Sequence, residues 1–464
     1  MPGTSTGGEL SRETPVQMYA IPIEGKFILY RPLLQLAFVG NRAMVDLVFR
    51  LVRQGSFSGE DVPQEAMAFL EAIGFLRPDP TPPPPPDPVY RLTMAVLLLT
   101  NRCNLRCTYC YASGGEGPVR DLPLELAGTV IDRACQNATE LDRPRFELTF
   151  HGGGEPVQVW ETLQQATAHA RSKDLPCRIS MVSNGVWTAR QREWILHNLD
   201  GLSISFDGRQ ETQDRQRPFP SGWGSFRAVM RTIKALDKAG FSYGIRMTAT
   251  APWRGTLPED VRFVCEETGC PTMQVEPAFN TRRGEHKGPA PEESEAFVEA
   301  FMEAFEIAQR RGRRLTYSGA RPWLLTQAFC TAPYGALIVN AAGNLVACYE
   351  IASESHSLAR MSTVGRVAGD RIVVDDRARA ALLTYLGEKR ATCRECFCYW
   401  HCAGDCYTRS WASAASAAPG APSPRCTMNR EITARILLWY IMSGDGVWQG
   451  KGAHPQEVQL LQTF

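Results

Sequence analysis

The chain has 464 residues, fifteen of them cysteine, with a formal net charge of +1 and 21% charged residues. That balance argues against a nucleic-acid partner or a membrane-surface role, and the longest apolar runs, 94–99 and 436–442, fall far short of the ~20 residues that cross a bilayer. The opening Met1-Pro-Gly-Thr-Ser-Thr-Gly-Gly lacks the basic and apolar stretches of a secretory signal, so a cytoplasmic setting is expected. Cysteines in that setting mean metal binding or catalysis rather than disulfides.

In chain order, the first block (1–78) shows three short strands, 18–23, 27–30 and 36–39, then helical patterns near 41–53 and 63–74. It has no cysteine or histidine and so no obvious chemistry. Residues 79–94 hold a proline run, Asp79-Pro-Thr-Pro-Pro-Pro-Pro-Pro-Asp-Pro, which predicts a semi-rigid polyproline II linker. From 95 to 320 short apolar runs (95–99, 147–150, 178–182, 201–205, 244–250, 272–275) alternate with helical patterns (122–138, 161–171, 188–198, 225–240, 258–268). Six such units predict parallel strands joined by right-handed crossovers, a full or partial barrel with its site at the C-terminal strand ends.

Polar motifs fall at those ends. After the first strand comes Cys103-Asn-Leu-Arg-Cys107-Thr-Tyr109-Cys110; Gly152-Gly153-Gly154-Glu155-Pro follows the second, Ser183-Asn184-Gly185 the third, and Ser205 with Asp207-Gly208 the fourth. Three thiolates spaced Cys-x3-Cys-x2-Cys can ligate three irons of a four-iron cluster and leave the fourth open to an exogenous ligand; the competing reading is a zinc knuckle that borrows a ligand from elsewhere. Glycines allow close backbone approach to a ligand, and Glu155 can accept hydrogen bonds from an ammonium. Glu276, ending the sixth strand, faces the same rim.

The spacing with Tyr109 before the last cysteine resembles the radical S-adenosylmethionine (SAM) enzymes. Gly153-Gly154-Glu155-Pro156 is similar to the motif that holds the methionine amino group in that family. The resemblance implies SAM and a [4Fe-4S] cluster on Cys103, Cys107 and Cys110. It also implies SAM contacts from Tyr109, Gly153, Gly154, Glu155, Ser183, Asn184, Ser205, Asp207 and Arg217. The family usually has histidine where Gln213 stands.

The third block, 321–443, precedes a tail at 444–464. It has Cys330-x12-Gly343-x4-Cys348, then Cys393-x2-Cys396-x5-Cys402-x3-Cys406, then Cys426. This resembles the SPASM extension of peptide-modifying radical SAM enzymes, so the likeness runs from about 96 to 428. It implies two auxiliary clusters, three [4Fe-4S] clusters in all: Cys393, Cys396, Cys402 and Cys426 on one, Cys330, Cys348 and Cys406 on the other. The second set is one short, leaving an open iron, a non-cysteine ligand or Cys398. Cys135, Cys177, Cys265 and Cys270 read as buried apolar residues.

The first block resembles the winged-helix element that reads leader peptides by strand addition, with 36–39 as the docking edge and Leu36 and Phe38 as contacts. The whole reads as an α/β chain: a partial (β/α)6 TIM-type radical SAM barrel between a winged-helix-like domain and a SPASM domain. The activity implied is a thioether or carbon–carbon crosslink in a ribosomal precursor peptide, with electrons from a flavodoxin or ferredoxin. Alternatives are an anaerobic sulfatase maturase and a non-enzymatic iron–sulfur protein. Sulfatase maturases carry an aspartate base after the Gly-x4-Cys cysteine; here Tyr349 and Glu350 stand there, and Glu350 is the candidate base.

Overall fold

The computed structural model describes residues 16–54, 63–87, 89–251, 255–278, 283, 291–413 and 424–450. It divides into two compact units, one of Met1–Pro83 with Ile436–Gly452, the other containing Pro84–Arg435.

In the first unit β1 (Tyr19–Ile23), β2 (Lys26–Arg31) and β3 (Leu36–Gly40) form an antiparallel meander, followed by α1 (Arg42–Gln54) and α2 (Gln64–Ala72). Leu29, Leu36, Phe38, Val48, Leu70 and Phe75 form its core. Arg31 is fully buried; its guanidinium donates to the Phe75 and Arg77 carbonyls and pairs with Asp79 at 2.6 Å, so the start of the proline run is fastened to the sheet. The C-terminal strand Val447–Gln449 pairs antiparallel with β3, Trp448 opposite Ala37, and Trp448 is buried near Tyr30. Two expectations change here. The β3 edge assigned to a leader peptide is occupied by the chain itself, and Leu36 and Phe38 point into the core, 4% and 2% exposed. The segment 436–452, expected as the end of the SPASM block and a tail, belongs to this unit.

The second unit is built on an eleven-stranded sheet. Seven parallel strands come first: β4 (Met94–Leu98), β5 (Phe146–His151), β6 (Cys177–Ser183), β7 (Gly201–Ser205), β8 (Tyr243–Thr250), β9 (Thr272–Ala278) and β10 (Arg314–Thr316). β4 is buried along its whole length, as a central parallel strand covered on both faces must be. Helices α3 (Leu124–Glu140), α4 (Trp160–Arg171), α5 (Ala189–Asn198), α6 (Gln210–Gln216), α7 (Phe226–Ala239), α8 (Leu257–Glu267) and α9 (Pro291–Arg310) alternate with them. Local sequence fixes several boundaries: Thr188 and Gln191 form a reciprocal capping box on α5, and Gly240 ends α7 in the left-handed region. All six expected strands form; β10 is a seventh. Beyond β4 the sheet continues with β11 (Ala336–Val339), parallel to it, then the antiparallel strands β12 (Asn344–Val346), β13 (Thr363–Ala368) and β14 (Arg371–Val374). The C-terminal cysteine block thus extends the barrel sheet directly. No helix among the described residues is long and apolar enough to cross a membrane.

Candidate active site

A cavity of about 390 Å³ opens at the C-terminal ends of the parallel strands. Cys103, Cys107 and Cys110 line it, and so do Cys330, Cys348 and Cys406. Two cysteine sets more than 200 residues apart therefore face one space.

The three-cysteine loop is held from several sides. Arg106 N–H donates to the Pro218 carbonyl (2.7 Å) and Thr108 N–H to the Gln216 carbonyl (2.9 Å). Arg283 donates to the Cys107 and Gly114 carbonyls and pairs with Glu116 at 2.6 Å. Gly154 packs so closely that a β-carbon there would lie 2.0 Å from the Arg102 carbonyl oxygen, and Gly153 has φ +111°. Only glycine meets both conditions, which brings the Gly-Gly-Glu backbone against the loop.

Glu155 is 2% exposed, accepting from the Ser183 hydroxyl (2.6 Å) and the Asn184 N–H (2.7 Å). Burial pushes its carboxyl up to about 7 despite these bonds. A buried acid with neutral donors and no cation fits an incoming ammonium. The thiols fit a metal in the same way. Burial pushes Cys103 up to about 12 and Cys107 and Cys330 each up to about 11, and a metal cation bound there would favour their thiolates. Among the described residues no three cysteine, histidine or acidic side chains converge as a single metal ion requires.

Several expected SAM contacts are spent elsewhere. Asp207 is 2% exposed and accepts from Tyr109 Oη (2.6 Å), Gln216 Nε2 (2.7 Å), Arg217 Nε and Nη2 (2.8 and 3.0 Å) and Thr248 N–H (2.9 Å). Five donors saturate a carboxylate, so Asp207 anchors Tyr109 and Arg217 instead of meeting a ligand. Arg217 lines the cavity, with two of its donors already engaged. Gln213, in the place of the family's histidine, accepts the Asp207 N–H and donates to Ser225, a scaffold role. Ser183 and Asn184 line the cavity while holding Glu155, and Ser205 faces it from the end of β7.

On the opposite wall, Thr408 Oγ1 lies 3.1 Å from Cys406 Sγ and 3.9 Å from Cys348 Sγ. Cys398, a candidate fourth ligand, sits elsewhere: it is buried, its thiol directed at the Asn429 carbonyl, and it draws the neighbouring Cys396 down to about 6 by hydrogen bonding. Asn429 Nδ2 reaches Cys402 Sγ at 3.3 Å. Cys398 thus groups with Cys396 and Cys402. Glu350 faces the cavity, where Arg409 Nε meets it at 3.3 Å, while Arg409 Nη1 pairs with Glu276 at 2.6 Å. Burial alone would raise Glu276, but Arg409 and Arg425 hold it below the usual carboxylate range. Tyr349 stacks on His151 with ring centres 4.8 Å apart, and burial raises its phenol far beyond the range of a base at neutral pH. Burial and nearby Arg246 press His151 down to about 3, so it is neutral, its Nδ1 accepting from Gly152 N–H. Arg246, Arg409, His151 and Arg283 were not anticipated. His151 and Arg246 are single polar residues at strand positions and Arg283 lies in an undistinguished polar run; only Arg409, one helical turn past Cys406, carried a positional hint.

Residues 97–252 match the radical SAM superfamily. Over 354 residues, 71% of this chain and 80% of the relative, it is 27% identical to the sporulation killing factor maturation protein SkfB of Bacillus subtilis (strain 168). It is 27% identical over 166 residues to the cysteine-type anaerobic sulfatase-maturating enzyme of Clostridium novyi (strain NT), spanning 33% of this chain and 42% of that one. Among solved structures, native anSMEcpe with bound AdoMet and Cp18Cys peptide superposes with a TM-score of 0.59 at 17% identity, covering 75% of this chain and 98% of that one; this is a likeness of fold.

Proposed function

We propose that this chain, a radical SAM enzyme related to peptide maturases, removes hydrogen from a ribosomally made precursor peptide and installs a crosslink in it, a thioether in preference to a carbon–carbon bond. The observation that carries this reading is the convergence of Cys103, Cys107 and Cys110 with Cys330, Cys348 and Cys406 on one cavity.

SAM on a reduced [4Fe-4S] cluster supplies hydrogen-atom abstraction; the protein aims it and excludes water. In this reading Cys103, Cys107 and Cys110 hold that cluster, Gly153 and Gly154 admit the methionine backbone, and Glu155 receives its ammonium. Ser183 and Asn184 fix Glu155, and Ser205 and Arg217 contribute polar groups at the rim. Cys393, Cys396, Cys402 and Cys426 hold one auxiliary cluster; Cys330, Cys348 and Cys406 hold a second, for three in all. With Cys398 placed elsewhere, the second set is a three-thiol donor with room for a substrate sulfur, which favours the thioether.

The N-terminal unit would read the leader. With β3 covered, the edge strands of its sheet are β1 and Val447–Gln449, and strand addition would use one of these. The sulfatase-maturase alternative draws support from the matched fold and the Clostridium novyi relative. It departs from that family's pattern after Cys348, where Tyr349 is stacked on His151 and the nearest acid, Glu350, is paired with Arg409.

Anaerobic coexpression with a small peptide encoded beside this gene tests the proposal. The expected product has lost two hydrogens and one free thiol. A peptide of unchanged mass, alongside conversion of a sulfatase cysteine to formylglycine, would favour the alternative.

A further inference from the structure

We propose that the turn Phe219–Gly224, together with the exposed arginines around it, is the docking surface for an acidic one-electron carrier protein of low potential. Trp223 is 79% exposed, the most exposed large apolar side chain among the described residues. A single exposed aromatic is ordinary, but this one is held in place. Phe219 N–H donates to the Trp223 carbonyl (2.8 Å) and Gly222 N–H to the Phe219 carbonyl (2.9 Å). Gly222 has φ +85°, and Gly224 packs against the Asp214 carboxylate with no room for a β-carbon. A tryptophan presented on a closed turn loses little entropy on binding, which is why interfaces favour it.

The turn lies directly behind the three-cysteine loop. Pro218, its neighbour, accepts the Arg106 N–H at 2.7 Å, and Gln216 accepts the Thr108 N–H at 2.9 Å. The Arg106 guanidinium in turn donates to the Cys103 and Gly115 carbonyls (2.9 and 2.7 Å), and the loop leaving Gly115 exposes Val119 at 59%.

Charge on this face leans positive. Three of its acids face arginines, Asp121 with Arg102, Glu116 with Arg283 and Glu211 with Arg209, while Asp214 accepts the Phe226 N–H and keeps its charge. Exposed Arg120, Arg215 and Arg227 have no carboxylate partner among the described residues. An apolar anchor flanked in sequence by the unpaired cations Arg215 and Arg227, on a turn hydrogen-bonded to the cysteine loop, fits an acidic partner, steered by charge and seated by the tryptophan. In the step itself the carrier's reduced cofactor loses one electron and the cluster on Cys103, Cys107 and Cys110 gains it. This inference rests on the SAM-cleaving chemistry and is independent of the peptide.

The test uses reconstituted holoenzyme with SAM and no peptide, comparing Trp223→Ser and Arg215→Glu with the unmodified protein. One arm is driven by purified flavodoxin with its reductase, the other by dithionite, and calorimetry measures binding of oxidised flavodoxin. Each substitution should weaken flavodoxin binding roughly tenfold or more and slow flavodoxin-driven SAM cleavage at least in proportion. Binding should also weaken with added salt, and dithionite-driven cleavage should stay within about twofold of the unmodified rate. Unchanged flavodoxin binding and turnover in both variants would overturn the proposal. So would an equal loss in the dithionite arm, because it would place the residues in the cluster loop's support.

Discussion

Replacing Glu155 with glutamine isolates one charge at the heart of the SAM subsite. The carboxylate is 2% exposed and has neutral donors on its oxygens, Ser183 and Asn184 among them. A hydrogen bond to a charged partner is worth about 1.5–3 kcal/mol. Since 1.4 kcal/mol is a factor of ten, Glu155→Gln should weaken SAM binding by roughly 10- to 100-fold. Calorimetric titration of SAM into anaerobically reconstituted enzyme, with iron content matched to the unmodified protein, measures this. The pH dependence follows from burial, which raises the carboxyl from its ordinary 4.5 to about 7. A raised acid binds more protons folded than unfolded, so its contribution to stability is present at low pH and declines as pH climbs from about 4.5 through 7. SAM affinity should run the opposite way, falling below about pH 7 as the carboxyl protonates, with a proton released on binding. Affinity unchanged within threefold in Glu155→Gln, and flat between pH 6 and 8, would refute this role for Glu155.

Changing Cys103, Cys107 and Cys110 together to alanine should lower iron from roughly twelve to roughly eight per chain and abolish SAM cleavage; loss of all iron, or none, would contradict separate clusters. Asp207→Asn removes the partner of a buried arginine and should cost about 3–5 kcal/mol in chemical denaturation, which a ligand-contact role at the rim would not. Trp448→Ala should destabilise the N-terminal unit by about 3–5 kcal/mol and impair precursor processing, with dithionite-driven SAM cleavage retained. If Glu350 moves a proton, Glu350→Gln should slow product formation by about 10²–10⁴-fold while 5′-deoxyadenosine still forms; full activity would confine Glu350 to its pairing with Arg409.

The barrel was legible because parallel strands covered on both faces read as short apolar runs between amphipathic helices. All six expected strands appear, 201–205 with its ends unchanged and the others with at least one end shifted by one to three residues. β10 and β12, three residues each, are too short for periodicity to register, and β11, β13 and β14 lack the long amphipathic helices that set off the barrel strands. The cysteine sets stood out through spacing, but spacing could not show that Cys398 faces Cys396 and Cys402. Asp207 and Ser183 have the right chemistry for a ligand, and only their neighbours reveal that it is already used. Val447–Gln449 is invisible to local reasoning, since three residues pair with a strand some 400 positions earlier.

The most direct test feeds the enzyme a precursor peptide deuterated at its core residues and measures the label in 5′-deoxyadenosine. Hydrogen removed from the peptide by SAM chemistry requires deuterium in the nucleoside, accumulating in step with the crosslinked product. Crosslinked product accompanied by unlabelled 5′-deoxyadenosine would contradict the account.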